Sequence, residues 1–421
     1  MRTTMHSIRT PLRAAAFAAA LACTLPALAT NGYFPHGYGL KAKGMGGVST
    51  ATAEDAMGGA TNPAKMVWVG SRLDLGLEWF SPRRDAEREG PPGLDGKVTS
   101  DRTNFFVPEV GYNRMMGSDW SLGVTVYGNG GMNTSYPGGD FDCGGGPANI
   151  LCGSGKLGVD LMQLVVAPTV AFKLAPQHSV GASLLLGYQR FRADGLQAFD
   201  GPGTSSPGNV TNNGYDTASG MGLRIGYMGR LTDAVTVGAA YSSKVNMSRF
   251  KKYEGLFAEQ GDFDIPSNWS VGVAFVPAPG WTVAVDYQRI NYTDVKSVSN
   301  PSMVMVQLGE DDGPGFGWRD VSVVKLGVAW KMDDTLTLRA GFNRGTNPIR
   351  SSDVTFNILA PGVMTNHYTA GFTHALSKDS ELTGAAMYAP RQTVSGDSMF
   401  AGTEKIGMHQ YSIGLGWSKK F

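Results

Sequence analysis

The chain has 421 residues, and its 36 lysines and arginines against 35 aspartates and glutamates give a formal net charge of +1. A charge so near neutral leaves no basic footprint for nucleic acid. Apolar residues make up 42% of the chain, but no apolar run after the N-terminus reaches the roughly 20 residues that a membrane-spanning helix needs, which excludes a helical membrane protein.

Residues 1–29 have the pattern of a secretory signal peptide, so they are left out of the predicted fold. Three arginines precede an apolar stretch at 14–25, and the small-residue site Ala27-Leu28-Ala29 follows. We expect export and cleavage before Thr30. Cys23 offers a lipoprotein as an alternative, but Ala20 stands where a lipidation site usually has leucine.

Residues 30–70 are rich in glycine, alanine and small polar residues and show no strand pattern. The segment is too long for a simple lead-in to the strands that follow. If those strands close into a wide barrel, the lumen has to be filled or blocked, and we expect this segment to lie inside as a plug. A disordered periplasmic tail is the alternative, against which stand the aromatic residues Tyr33, Phe34, Tyr38 and Trp68.

From residue 71 to 421 apolar residues recur at every second position in stretches of 10 to 15 residues, which is typical of strands with two unlike faces. The first run is Leu73, Leu75, Leu77 and Trp79, and the last is Tyr411, Ile413, Leu415 and Trp417. The second face is mostly Gly, Ala, Ser and Thr, whereas a soluble sheet would show a charged, wet face. The pattern predicts an all-β fold, a transmembrane antiparallel up-and-down barrel with apolar side chains facing lipid.

The connections alternate between short and long, as the periplasmic turns and outer loops of such barrels do. Short turns are predicted at 116–119, 175–178, 232–233, 277–280, 332–335 and 377–379. Long segments are predicted at 83–100, 133–156, 193–215, 246–266, 295–316, 345–362 and 391–407. The count is about 14 strands.

Two cysteines remain after the expected cleavage, Cys143 and Cys152, in a Gly-rich outer segment. Export places them in an oxidising compartment, which favours a disulfide across the loop. A metal site would need further ligands, and none of the six histidines is close in sequence. We expect no metal and no cofactor.

Three cations fall on inward strand faces: Arg224, Lys325 and Arg339. A cation at membrane depth is costly and is a functional candidate by default, so each is a candidate partner for a ligand carboxylate. The alternative is that they pair with lumen carboxylates such as Glu109 and Asp286, or with the plug.

The segment 246–266 holds the strongest candidate for a ligand-capture surface, because exposed apolar residues on a loop commonly signal binding. Two lysines accompany four aromatic or apolar residues, three of which follow a helical three-then-four spacing. The four are Phe250, Tyr253, Leu256 and Phe257. The alternative is that they pack against a neighbouring loop.

No catalytic pattern is present: there is no Gly-x-Ser-x-Gly elbow, no HExxH and no phosphate loop. We therefore expect no enzyme activity. At the other end of the chain, the closing strand ends on Phe421. A terminal aromatic after an alternating strand is similar to the signal that the outer-membrane assembly machinery reads.

The mature chain resembles the FadL/TodX family of outer-membrane transporters for long-chain fatty acids and other hydrophobic compounds. The resemblance rests on Asn31-Gly32-Tyr33-Phe34, His36-Gly37-Tyr38-Gly39, Lys43-Gly44-Met45-Gly46-Gly47, Asn62-Pro63-Ala64 and Pro108-Glu109-Val110-Gly111-Tyr112. It covers essentially the whole mature chain, and the motifs are fairly specific when taken together.

The resemblance implies a monomeric 14-stranded barrel with an N-terminal hatch, ligand access among the outer loops, and a lateral gap beside a kinked third strand. Asn62, Pro63 and Ala64 match the hatch motif of the family. The third strand is predicted at 120–132 and contains Gly128, Asn129, Gly130 and Gly131. Glycines inside a strand mark bends or bulges, although these four could instead begin the next outer loop.

The sequence thus predicts passive transport of hydrophobic molecules, with long-chain fatty acids as the first choice of ligand. The steps would be capture at the outer loops, hatch movement and lateral exit at the third strand. An aromatic-hydrocarbon channel is the nearest rival, and an open porin, a lipid hydrolase and an adhesin are more distant ones. Expected partners are small hydrophobic molecules, outer-membrane lipid and lipopolysaccharide, and the barrel assembly machinery.

Overall fold

A computed structural model describes residues 31–421, so the expected signal peptide and its cleavage site lie outside the described residues. The chain forms a closed barrel of 14 antiparallel strands. They are β1 (Arg72–Glu89), β2 (Phe105–Met115), β3 (Trp120–Asn133), β4 (Gly158–Ala175), β5 (His178–Asp194), β6 (Asp216–Arg230), β7 (Val235–Ser242), β8 (Asn268–Phe275), β9 (Trp281–Ile290), β10 (Val321–Lys331), β11 (Leu336–Gly345), β12 (Asn366–Ala375), β13 (Ser380–Asp397) and β14 (Thr403–Lys420).

Closure is made by the first and last strands, which pair in register from Arg72 with Lys420 to Glu89 with Thr403. The remaining strands pair in chain order around the barrel. An open sheet edge in hydrocarbon would leave backbone groups unpaired at several kcal/mol each, so closure makes the sheet compatible with a membrane. The predicted strand count and fold class are confirmed.

The two faces of the strands differ as the alternation predicts, and β14 illustrates this. Ile413 and Leu415 point outward and are 55% and 57% exposed, whereas Ser412 and Ser418 point inward and are buried. Outward apolar side chains match lipid, and small inward ones leave room for material in the lumen.

The predicted short turns are all present, but two of the predicted long segments are in part strand. β1 continues to Glu89 and pairs with a short strand at Gly96–Thr99, and β13 and β14 continue until only residues 398–402 connect them. Residues 83–100 and 391–407 were therefore wrongly predicted as wholly loop. Their strands run past the expected membrane boundary because they remain paired with one another there.

The remaining elements are short. The other small strands are Phe141–Asp142, Pro147–Ala148 and Asn246–Met247. The α-helices are α1 (Leu40–Lys43), α2 (Ala258–Gly261), α3 (Lys296–Ser299) and α4 (Val354–Asn357), and the 3-10 helices are Gly58–Ala60, Pro63–Trp68, Gln197–Phe199, Lys251–Tyr253, Tyr292–Asp294 and Ser351–Asp353. Across residues 31–421 no helix is both long and apolar enough to cross a membrane. The predicted disulfide between Cys143 and Cys152 is present in the outer loop after β3.

Residues 31–70, called the hatch from here on, lie in the lumen. At one end Tyr33 packs against Trp318 of an outer loop, and at the other the Trp68 indole donates to Ser179 at the periplasmic rim. The hatch is almost entirely buried, although it contains mostly small and polar residues. A segment of that composition has little apolar surface of its own, so the barrel wall supplies its packing.

Candidate functional site

The hatch touches the barrel wall at glycines. Nine inward-facing strand glycines lie so close to it that a Cβ added at any of them would fall 2.0–2.6 Å from a hatch atom. They are Gly111, Gly123, Gly130, Gly181, Gly226, Gly238, Gly327, Gly341 and Gly414. The glycine-rich inner face predicted from the sequence is therefore the surface on which the hatch packs, since any larger side chain would displace the hatch. We call these glycines the glycine seat.

Buried ion pairs fix the central part of the hatch. The Lys43 ammonium lies 2.7 Å from Glu78 of β1 and 2.9 Å from Glu109 of β2, with all three side chains at most 8% exposed. Removing one partner of such a group leaves an uncompensated buried charge, which costs about 3–5 kcal/mol. The arrangement is specific because only a cation at position 43 satisfies both carboxylates.

The predicted hatch motif forms a pinned turn. Asn62 caps the 3-10 helix Pro63–Trp68, and its side-chain oxygen accepts from the amide of Ala64 at 3.0 Å. Its side-chain nitrogen donates to the carbonyl oxygens of Thr50 and Tyr227, each at 2.8 Å. One residue thus orders the local turn, joins two parts of the hatch and holds both to β6.

The three lumen cations are inward-facing and buried, and each contacts the hatch. Arg224 donates to the carbonyl of Gly59 at 2.5 Å and to the Tyr127 hydroxyl. Arg339 pairs with Glu54 at 2.8 Å. Lys325 lies 3.4 Å from the carbonyl of Gly47, next to Asp286. These contacts correspond to the pairing alternative, and a role for any of the three in holding a ligand carboxylate stays a prediction.

The predicted capture residues are brought together, but they are not exposed. Phe250 and Tyr253 are fully buried and Phe257 is 5% exposed, because they pack around Phe191 of β5. The expectation of a bare apolar loop surface was wrong. A three-then-four spacing indicates that side chains share one face of a helix, but it carries no information on whether that face is exposed to solvent.

Phe257 and Leu256 instead line a partly open apolar cavity among the outer loops, with a volume of about 40 Å³. Other lining side chains come from loops distant in sequence, namely Phe199, Leu308, Phe316 and Phe356. No charged residue among the described residues lines it. Sequence reasoning missed this outer cavity, and the only signal for it was the presence of isolated aromatics in several of the long loops.

Aromatic contacts connect the outer cavity to the hatch. Phe257 packs on Phe263 with ring centroids 4.9 Å apart, and Phe263 packs on Tyr33 of the hatch at 6.2 Å. Tyr33 also packs on Tyr292 at 5.0 Å. A side chain displaced in the cavity therefore has a packed path to the start of the hatch, since interiors transmit strain through close contacts.

The third strand carries a bulge at the predicted glycines. Gly128 pairs with Leu164 and Gly130 with Gln163, so Asn129 is an extra residue in β3. The four residues from Gly128 to Gly131 belong to the strand rather than to the loop. The hatch stands directly behind them, because the Tyr38 hydroxyl donates to Asn129 at 3.0 Å.

On the other side of the bulge the barrel wall is incomplete. Within residues 31–421 the β2–β3 ladder runs from Met115 and Ser121 to Val110 and Val126 and stops there, although β3 continues to Asn133. A stretch of β2 thus faces β3 without ladder hydrogen bonds. Unpaired strand edges are avoided in lipid unless they are buried or line a water-filled space.

A closed barrel with a hatch in its lumen, a bulged third strand and an apolar outer cavity is the architecture of an outer-membrane channel. The sequence model for the outer membrane protein transport protein family (OMPP1/FadL/TodX) matches residues 15–399. The chain belongs to this family, and it is an outer-membrane protein that transports hydrophobic compounds. Members of the family are transport channels and not enzymes.

Solved structures share the fold. The Pseudomonas putida toluene transporter TodX is 20% identical, with 92% of this chain and 99% of that chain covered and a TM-score of 0.68. A Pseudomonas aeruginosa FadL homologue is 13% identical, with coverage of 93% and 100% and a TM-score of 0.69. The Ralstonia pickettii toluene transporter TbuX is 18% identical, with coverage of 92% and 99% and a TM-score of 0.65. Among curated proteins no sequence matches.

Proposed function

We propose that the chain is a passive channel that takes uncharged hydrocarbons, aromatic ones included, into its outer cavity. The single observation that carries this choice of ligand is the lining of the cavity, which is mostly aromatic and aliphatic, with Ser297 as its one polar side chain and no charged group among the described residues. Burial of apolar ligand surface contributes about 25 cal/mol per Å², so a small hydrocarbon binds without any polar partner.

The route continues through the hatch. A ligand larger than the outer cavity pushes on Phe257, and the contact through Phe263 carries this displacement to Tyr33. Tyr33 and Tyr38 stand behind the β3 bulge. Their withdrawal opens the lumen toward the unpaired stretch between β2 and β3, where the molecule leaves sideways into the membrane. Transport follows the concentration gradient, because no energy-coupling element is part of this route.

A long-chain fatty acid is the second candidate, favoured by one observation. A polar cleft of about 380 Å³ shares Val159 with the outer cavity and carries three cations, Arg102, Lys156 and Arg192, together with Asp101, Asp160 and Asp194. Lys156 pairs with Asp101 at 3.2 Å and Arg192 with Asp194 at 3.1 Å, so a ligand carboxylate would share these cations. A fatty acid could place its tail in the cavity and its carboxylate in the cleft, where arginine recognises carboxylates well.

One experiment distinguishes the two ligands and tests the cavity itself. Binding of labelled toluene and of oleate is measured on the purified protein for Leu256→Trp, which fills the cavity, and for Arg192→Gln. We expect Leu256→Trp to lower toluene affinity at least tenfold, because its indole occupies the space of the ligand, and Arg192→Gln to leave toluene binding unchanged.

Leu338→Trp is the matched control, because Leu338 faces lipid and is 36% exposed. If Leu256→Trp bound toluene as the unaltered protein does, the outer cavity would not be the binding site. If oleate bound tightly and Arg192→Gln weakened it, the fatty-acid candidate would replace the hydrocarbon.

A further inference from the structure

A cluster of cations lies on the outward face of the barrel wall, the face opposite to the one that the hatch packs against. It sits on three adjacent strands, β13, β14 and β1, where they run beyond the outward aromatic residues Trp79, Tyr388 and Tyr411. Aromatic girdles mark the membrane interface in such barrels, so this surface stands at the level of the lipid head groups. The transport route makes no use of it.

A bulge in β13 turns one of these cations outward. Ala389 pairs with Gln410 and Gln392 pairs with Met408, so one extra residue is inserted between them. Because side chains alternate strictly along a strand, one inserted residue exchanges the two faces. Without the bulge Arg391 would point into the lumen, and with it the side chain is 43% exposed on the outside.

Arg391 is then held in a fixed orientation across the neighbouring strand. Its two terminal nitrogens donate to the two oxygens of Asp85 at 2.6 and 2.7 Å. To reach β1 it crosses β14 at Gly407, where a Cβ would lie 2.4 Å from the guanidinium. A guanidinium has five N–H donors, and the pair with Asp85 uses two of them. Three remain for another acceptor.

Further cations surround Arg391 on the same face. Arg83 of β1 stands opposite His409, and Lys405 of β14 stands opposite Glu87. Both cations are exposed, and within residues 31–421 neither has a carboxylate within 4 Å. Lys97 lies beside them and contacts Asp85 and Glu87 at 3.6 and 3.5 Å.

We call Arg83, Lys97, Arg391 and Lys405 the basic rim. Asp85 and Glu87 lie among these cations, and Glu89 and Asp397 follow farther from the girdle on the same face. The carboxylates are thus concentrated toward the far end, and the edge nearest the membrane carries Arg83 and Arg391. Arg83 is four residues beyond Trp79, or about 13 Å along the strand, which at the usual strand tilt is about 10 Å above the girdle. This is the depth at which the outer leaflet carries its anionic groups.

We propose that the basic rim binds the phosphates of lipid A, the membrane-embedded part of lipopolysaccharide, which forms the outer leaflet around this protein. Basic pockets beside membrane-spanning elements recognise anionic head groups, and arginine binds phosphate through paired donors. The apolar outward residues below the rim, such as Leu77 and Ile413, lie where the acyl chains of the same molecule would pack.

Binding of bis-phosphorylated lipid A to the detergent-solubilised full-length protein is measured by native mass spectrometry. The protein variants are Arg83→Gln, Arg391→Gln and the double variant. We expect each single change to weaken binding about fivefold, which is the factor for one surface cation near an anionic lipid. The double variant should lose more than either single one.

Arg350→Gln is the matched control, since Arg350 is exposed on the loop after β11. Dephosphorylated lipid A and phosphatidylglycerol are the control lipids, and both should bind more weakly than lipid A. Far-UV circular dichroism confirms that each variant is folded. Equal binding of lipid A by the double variant and the unaltered protein would overturn the proposal, and so would equal binding of phosphatidylglycerol and lipid A.

Discussion

The central part of the hatch and its beginning are held by different chemistry. Its central part is fixed by directional polar contacts, with Lys43 between Glu78 and Glu109. Its beginning is held by aromatic packing, with Tyr33 among Tyr292, Trp318 and Phe263. The Tyr292 hydroxyl adds uncharged hydrogen bonds to the backbone of residues 31–34. A polar contact cannot be exchanged for an apolar one without leaving a charge unpaired, whereas one aromatic contact can take the place of another.

The magnitudes separate the roles of these two regions. An aromatic pair contributes about 0.5–1.5 kcal/mol beyond its buried area, while breaking a buried ion pair costs about 3–5 kcal/mol. An apolar ligand therefore competes with the contacts of Tyr33 and leaves those of Lys43 intact. We expect the movement during transport to be confined to residues 31–38, with the rest of the hatch in place.

The largest expected effect comes from removing the ion pairs of Lys43 with Glu78 and Glu109, called the polar anchor from here on. Lys43→Met leaves Glu78 and Glu109 buried without a cation, and we expect a loss of about 3–5 kcal/mol in the binding of the hatch to the wall. The hatch should then leave its seat, and the barrel should conduct ions in a planar bilayer. Single-channel recording measures this.

Lys331→Met is the matched control, because its pair with Asp334 lies on an exposed turn, with the side chains 54% and 96% exposed. Exposed pairs contribute at most about 1 kcal/mol, so this variant should stay closed. A closed Lys43→Met channel would show that the glycine seat holds the hatch without the ion pairs, and the contrast between the two regions would be lost.

The parts of the molecule that were predictable are those that local patterns specify. Alternation at β14, the interior glycines of β3 and the spacing of Cys143 and Cys152 are each read within a few residues. The outer cavity is different in kind, because Phe199, Leu308 and Phe356 meet there only after the barrel has closed. No periodicity relates loops that are separated by whole strands of the barrel.

The lumen cations also show that local patterns do not predict contacts between residues distant in sequence. Alternation correctly placed Arg339 on the inward face, but its partner Glu54 belongs to a hatch without any repeat. The extension of β13 and β14 was missed for a related reason. Outside the membrane there is no lipid-facing pattern to follow, and pairs such as Arg391 with Asp85 appear only when strands 300 residues apart in sequence lie side by side.

A smaller effect is expected where the beginning of the hatch meets the wall. Gly130 of β3 lies so close to the hatch that a Cβ there would fall 2.2 Å from the carbonyl oxygen of Tyr33. Gly130→Ala should push residue 33 out of its aromatic packing, at about 1–3 kcal/mol for overpacking. We expect faster hydrogen exchange at residues 31–38 and unchanged exchange around Lys43.

Gly145→Ala is the control for this substitution, since no atom lies within 4 Å of a Cβ at that position. If exchange rose equally along the whole hatch in Gly130→Ala, the hatch would move as one body. The division into a fixed central part and a displaceable beginning would then be wrong.

The smallest effect is a pH dependence in the outer loop of residues 246–266, called the cap from here on. Burial, followed by the charges of Asp264 and Glu259, raises the pKa of Asp262 in the outer loop before β8 to about 6. The unfolded value is near 3.9, so the folded loop binds this proton more tightly. Its contribution to stability is full below about pH 4 and is lost as the pH rises through about 6.

Because Asp262 is partly exposed, solvent screening reduces the effect to roughly 1 kcal/mol. Hydrogen exchange of residues 246–266, corrected for intrinsic rates, should therefore be about fivefold slower at pH 5 than at pH 7.5. Asp262→Asn should show the slow rate at both pH values, whereas Asp140→Asn, on an exposed loop, should keep the dependence. The hatch around Lys43 should not respond in either variant. A pH response there of the same size would mean that the cap and the polar anchor open together, against the separation argued from their chemistry.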